Sequence, residues 1–88
     1  MLHSGIEIVN RLGLHARAAA KFVQTAGRFS SQIEVSRGAK KINGKSIMGV
    51  MMLAAAQGAH IEITSSGEDE QEALDALIAL VEDGFGET

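Results

Sequence analysis

Apolar and polar positions change their period several times along the chain. Between Leu2 and Val9, Ile6 and Ile8 flank Glu7, the alternation expected of a half-buried strand. Asn10 to Leu14 then reads as a loop. From His15 to about Gly27 the period lengthens. Ala19, Phe22, Val23 and Ala26 fall at i, i+3, i+4 and i+7, an apolar stripe along one face of a helix. Lys21, Gln24 and Thr25 take the other side, and Gly27 can end the helix. Alternation returns at Gln32 to Ser36, with Ile33 and Val35 inward. A turn at Arg37-Gly38-Ala39 leads to Lys40 to Asn43, a short strand around Ile42 whose lysines suit a sheet edge. Ser46 is placed to cap a short helix from Ile47 to about Leu53. His60 to Ser65 is a further strand. Glu68 to Asp83 is a longer amphipathic helix striped by Leu74, Leu77, Ile78 and Val81, with acids complementing its N-terminal dipole. The segment from about 84 to 88 reads as a frayed tail.

The predicted order is βαββαβα. Strands with one apolar face need helices on that face only, which gives an α+β fold: an open-faced sandwich with an antiparallel sheet of four strands. Three helices cover one face of that sheet. The length of 88 residues suits one domain spanning 1–88.

Composition narrows the function classes. Phe is the only aromatic and occurs three times, so base-stacking platforms for nucleic acid are not expected. Absence of Cys rules out a disulfide frame and a thiolate metal site, and fits a cytoplasmic setting. No apolar run approaches the ~20 residues of a membrane helix, and the start lacks a signal-peptide pattern. Charge is strongly divided: all eight Lys and Arg lie between Arg11 and Lys45, and nine of eleven acids follow Ser46. A basic half of this kind can steer an acidic partner.

The candidate chemistry gathers at Gly13-Leu14-His15-Ala16-Arg17. Gly13 permits a tight turn. His15 then stands where a helix begins, beside unpaired backbone N–H groups and the positive end of the helix dipole. Such an end favours phosphate, and histidine is an unusual cap there. On this pattern alone a loop histidine with a structural hydrogen bond remains an open alternative. Two other readings fail. Gly38 to Ser46 mimics a phosphate-binding P-loop but has five residues between its glycines where the motif needs four. His3, His15 and His60 show no metal-ligand spacing, so no metal is expected; His3 and His60 read as solvent-facing strand positions. Ile47, Met48, Val50, Met51 and Leu53 make the short helix apolar almost all round, so part of it must be exposed, and methionine suits adaptable partner surfaces.

The first block resembles the active-site signature of the HPr family, the histidine-containing phosphocarriers of the phosphoenolpyruvate-dependent phosphotransferase system. Lys45-Ser46-Ile47-Met48-Gly49-Val50-Met51 resembles that family's regulatory serine segment. The likeness runs over essentially the whole chain. Two departures stand out: Ala18 where the family usually has proline, and Leu12 where it often has a small polar residue. The resemblance implies strand order 1-4-2-3 and a phosphoryl carrier that is not itself an enzyme and needs no cofactor. It implies that His15 accepts a phosphoryl group, through Nδ1, from Enzyme I and passes it to IIA-type domains in sugar uptake or its regulation. Arg17 and the backbone of Ala16 and Arg17 would hold the phosphate. Leu14, Lys21, Lys45, Ile47, Met48 and Met51 would meet partners, with Arg28 as an outlying contact, and Ser46 would be modified by an HPr kinase/phosphorylase. The expected carrier is a cytoplasmic monomer that binds no nucleic acid and inserts in no membrane. The rival readings are a nitrogen-related paralogue, a small regulatory binding module without phosphate chemistry, and a nucleic-acid binder using the basic half.

Overall fold

The computed structural model describes residues 1–87. Its elements are β1 (Leu2–Glu7), α1 (Ala16–Ala26), β2 (Gln32–Arg37), β3 (Lys40–Asn43), α2 (Ile47–Met52), β4 (His60–Ser66) and α3 (Glu70–Glu82), followed by a 3₁₀ turn at Gly84–Gly86. The four strands form one antiparallel sheet in the order β1-β4-β2-β3. Its register sets Ile6 opposite Ile61 and Val35 opposite both Ile42 and Ile63. Alternation therefore gathers one apolar face, because successive side chains of a strand point to opposite sides. Ile33, Val35, Ile61 and Ile63 on that face are buried. His3, Gln32, Glu34, Lys41 and Glu62 are exposed.

The helices lie against the apolar face. Ala18, Ala19, Phe22 and Ala26 of α1 are buried, as are Leu74, Leu77 and Val81 of α3. The small α1 residues let backbones approach closely. α2 buries Val50 and its cap residue Leu53 and packs against α1. Among the described residues no helix is long and apolar enough to cross a membrane.

Some element ends differ from expectation for local reasons. β1 stops at Glu7 because Ile8 leaves the ladder: its amide donates to the Ala59 carbonyl at 2.9 Å and its carbonyl accepts from Gly58 at 2.7 Å. α3 starts at Glu70 rather than Glu68. Asp69 precedes it, but its carboxylate accepts from the Ser30 and Ser31 amides, both at 2.9 Å, and from the Ser31 hydroxyl at 2.5 Å. Those bonds, the Ser31 hydroxyl first, hold the Asp69 pKa down at about 2.

The larger correction concerns the tail. Residues 84–87 are not frayed; Thr88 lies outside the described residues. Phe85 is fully buried at φ 58. Burying a Phe side chain contributes about 1.5–3 kcal/mol, which offsets the ~1–3 kcal/mol of a left-handed non-glycine residue. Gly84 and Gly86, also at positive φ, let the chain turn tightly on either side of the ring.

Candidate functional site

The loop before α1 is bolted to the segment before β4. The Leu14 amide donates to the Ala55 carbonyl at 2.9 Å. Gly13 sits at φ 67, and a Cβ there would fall 2.5 Å from the Ala55 oxygen and 2.9 Å from the Ala56 Cα. Glycine is thus required twice, by conformation and by contact. Leu14 then turns inward and is 6% exposed. This corrects the expectation that Leu14 meets partners: it anchors the loop from inside the core.

His15 follows as the cap residue of α1, with φ −75 and ψ 177, and its side chain makes no bond to the helix start. The amides of Ala16, Arg17 and Ala18 find no acceptor among the described residues. They form the unsatisfied positive end of a helix. The departure from the family's usual proline adds to it, since Ala18 has an N–H that proline lacks. Arg17 is exposed beside these amides.

The imidazole turns instead toward the tail. The side chain of His15 is 27% exposed, and its Nε2 is hydrogen-bonded to Glu87 Oε2. Glu87 Oε1 accepts from Asn10 Nδ2 at 2.9 Å, and the same Asn10 nitrogen donates to the Gly13 carbonyl at 2.8 Å. Lys21 Nζ donates to the Phe85 carbonyl at 2.6 Å. The Glu87 carboxyl is held below its ordinary value, first by the Asn10 bond and then, against the opposing effect of burial, by His15 and the Lys21 charge. Such a site offers a partly exposed imidazole and a set of free backbone donors, held by a loop and a tail that are both locked to the core.

Ser46 opens α2, and its hydroxyl accepts from the Gly49 amide at 3.0 Å. Ile47, Met48, Met51 and Met52 are 44%, 75%, 42% and 61% exposed. They form an apolar patch on the helix packed beside α1.

A family model described as PTS HPr component phosphorylation site matches residues 3–83. The chain belongs to the HPr family. The phosphocarrier protein HPr of Cupriavidus necator is 54% identical over 87 residues, spanning 99% of this chain and 98% of the relative. Among solved structures, HPr-C-His from Thermoanaerobacter tengcongensis is similar with a TM-score of 0.96 and 53% identity, covering 100% of this chain and 99% of that one. An HPr dimer from the same organism is similar with a TM-score of 0.79 and 54% identity, covering 99% and 100%. As a member of the HPr family, the chain is a phosphocarrier of the phosphotransferase system and not a catalytic enzyme.

Within this HPr fold, His15, Ala16 and Arg17 come together at the start of α1, and Ile47, Met48 and Met51 share the exposed side of α2. The two lysines expected to face a partner are held by their own chain: Lys21 by Phe85 and Lys45, through Nζ, by the Phe29 carbonyl at 2.7 Å. Arg28 lies over the Phe29 ring, 5.5 Å from its centre. Sequence reasoning missed Asn10 and Glu87. The available signal was Phe85: one of only three aromatic residues, between two glycines, in a segment that read as solvent-exposed.

Proposed function

We propose that His15 is the phosphoryl acceptor. It takes the group from the phosphohistidine of Enzyme I, charged from phosphoenolpyruvate, and hands it to IIA-type domains in sugar uptake or its regulation. The carrier works in the cytoplasm as a monomer. The observation that supports this reading is the unfilled cap of α1: a ring that does not close the helix start, beside three amides without acceptors among the described residues. A nitrogen lone pair of His15 forms a P–N bond while the P–N bond of the donor breaks, and that electron pair returns to the donor's imidazole. Positioning and charge stabilisation do most of the work in such transfers. The amides of Ala16 and Arg17 and the exposed guanidinium supply that charge without protein rearrangement.

The partner surface is the apolar patch of Ile47, Met48 and Met51, with positive charge from Arg17 and from Lys21 and Lys45, whose ammonium groups already rest on the Phe85 and Phe29 carbonyls. Such charge steers association and fixes register. Ser46 is the regulatory site for an HPr kinase/phosphorylase. Phosphate there adds about −1.5 to −2 charges. The helix dipole favours them, while an acidic, apolar-seeking partner does not.

The test is incubation with purified Enzyme I and labelled phosphoenolpyruvate. Wild type should acquire an acid-labile, base-stable label. His15→Ala should fold normally and take none; a labelled His15→Ala protein sinks the assignment. In the same assay Ser46→Asp should slow labelling with an equal or higher Tm. If Ser46→Asp is as fast as wild type, and kinase with ATP leaves Ser46 unmodified, its regulatory role falls.

A further inference from the structure

We propose that Glu87 is a positioning residue that decides which ring nitrogen of His15 takes the phosphoryl group, directing it to Nδ1. This rests on the reading of His15 as the acceptor.

The argument starts at Asn10. Its amide nitrogen has two hydrogens, and each has an acceptor: the Gly13 carbonyl at 2.8 Å and Glu87 Oε1 at 2.9 Å. Turning the amide over would set its oxygen against both acceptors, so its orientation is fixed. Glu87 is therefore approached by a donor on Oε1, and an ionised carboxylate can only accept on Oε2 as well. The group on Oε2 is His15 Nε2, which must carry the proton. A neutral imidazole has one N–H, so the nucleophilic lone pair lies on Nδ1.

The same contact closes the alternative. Nε2 is protonated and faces a carboxylate, which repels the anionic phosphoryl group. When Nδ1 forms its P–N bond and the donor's P–N bond breaks, the His15 ring becomes positive. The Nε2 proton stays in place, and the Glu87 carboxylate accepting it balances the new charge. The tail is anchored at this position by Phe85, which is fully buried and whose carbonyl accepts from Lys21.

The experiment uses two donors on wild type, Glu87→Ala and Glu87→Gln. Phospho-Enzyme I reads the transfer rate. Phosphoramidate, a small donor able to react with either nitrogen of a free imidazole, reads regiochemistry by phosphorus NMR at early times. Wild type should be labelled at Nδ1 by phosphoramidate, and Glu87→Ala at both nitrogens. A buried carboxylate holding a catalytic histidine is worth up to ~10⁴-fold; for this half-buried pair, Glu87→Ala should lose about tenfold in transfer from Enzyme I.

Glu87→Gln should lose more, although it is the closer isostere. Asn10 keeps the glutamine oxygen on its own side, which aims the glutamine NH₂ at His15 Nε2. That nitrogen must then accept, and the proton moves to Nδ1. A contact that merely held the tail would give the opposite order, with Glu87→Gln the milder change. Glu87→Gln transferring as well as or better than Glu87→Ala overturns the inference, and so does Nδ1 labelling that is the same in all three proteins. Both variants keep Phe85, so their Tm should stay near wild type; were Glu87→Ala to unfold, Glu87→Gln alone still reads the nitrogens. Wild type that takes no label from Enzyme I would refute the acceptor reading instead, while the phosphoramidate arm still decides this one.

Discussion

At the start of α2 the Ser46 hydroxyl lies 3.0 Å from the Gly49 amide and closes the helix end. At the start of α1 His15 holds the same position, yet its ring leaves the helix and meets Glu87. A filled cap is worth about 1 kcal/mol and leaves little for a ligand. An unfilled one forgoes that stability and keeps its donors for an anion. The fold carries the open end because the loop before it is fixed by other means: Leu14 in the core, Gly13 against Ala55 and Ala56, and Asn10 between loop and tail. An open helix end that stays rigid is the difference between a site and a defect.

The strongest way to break that contrast is to spoil the mount. Gly13→Ala would place a Cβ 2.5 Å from the Ala55 oxygen at φ 67 and should destabilise by about 2–4 kcal/mol in urea titration. Gly49→Ala, whose Cβ would come no nearer than 3.3 Å to Ser46, should cost far less; equal losses would show that the α1 loop is not specially built.

Asp69 supplies a third helix start, with its carboxylate turned to Ser30 and Ser31. Asp69→Asn should lower Tm by about 5 °C or more at pH 7. Its folded pKa is lowered from 3.8 to about 2. The stability it brings is therefore present above pH 3.8 and is lost as pH falls toward 2. The gap between wild type and Asp69→Asn should close over that window in thermal melts; a gap constant from pH 5 to pH 2 contradicts the assignment.

Smaller effects sharpen the comparison. Ser46→Ala should lose about 1 kcal/mol, and His15→Ala should stay within about 0.5 kcal/mol of wild type in denaturant titration. The reverse order would mean that His15 is the structural cap and Ser46 is not. Smallest of all should be Ala18→Pro. The Ala18 amide has no acceptor among the described residues, and the first helical turn tolerates proline, so stability should move by less than about 0.5 kcal/mol. A larger loss would show that this N–H already serves the folded chain.

Much of this was legible in the sequence, and the reason is periodicity. Ile33 and Val35, or Ala19, Phe22 and Ala26, announce their faces because strand and helix repeat at different intervals. The exposed methionines followed from simple geometry: α2 is apolar on every side and too short to bury them all. Leu14 misleads because the resemblance implies a partner contact there, whereas Gly13 turns it into the core. The Asn10–Glu87–His15 cluster was invisible for a different reason. It joins positions 77 and 72 residues apart, and no local period encodes such a meeting. Only the buried Phe85 marks it, and an aromatic flanked by glycines looks like any loop until the core has a place for it.

The sheet order β1-β4-β2-β3 has a consequence for the order of synthesis. Among the described residues β1 pairs with β4 alone, so the first strand made waits for residues 60–66 before it can pair. The carbonyls of Ala55 and Ala59 that hold Leu14 and Ile8 emerge late as well. Long-range pairing of this kind is slow to nucleate. A nascent chain on the ribosome therefore carries His15 long before the segments that position it, and the loop before α1 should become fixed only after residues 55–66 and the tail at 84–87 have emerged.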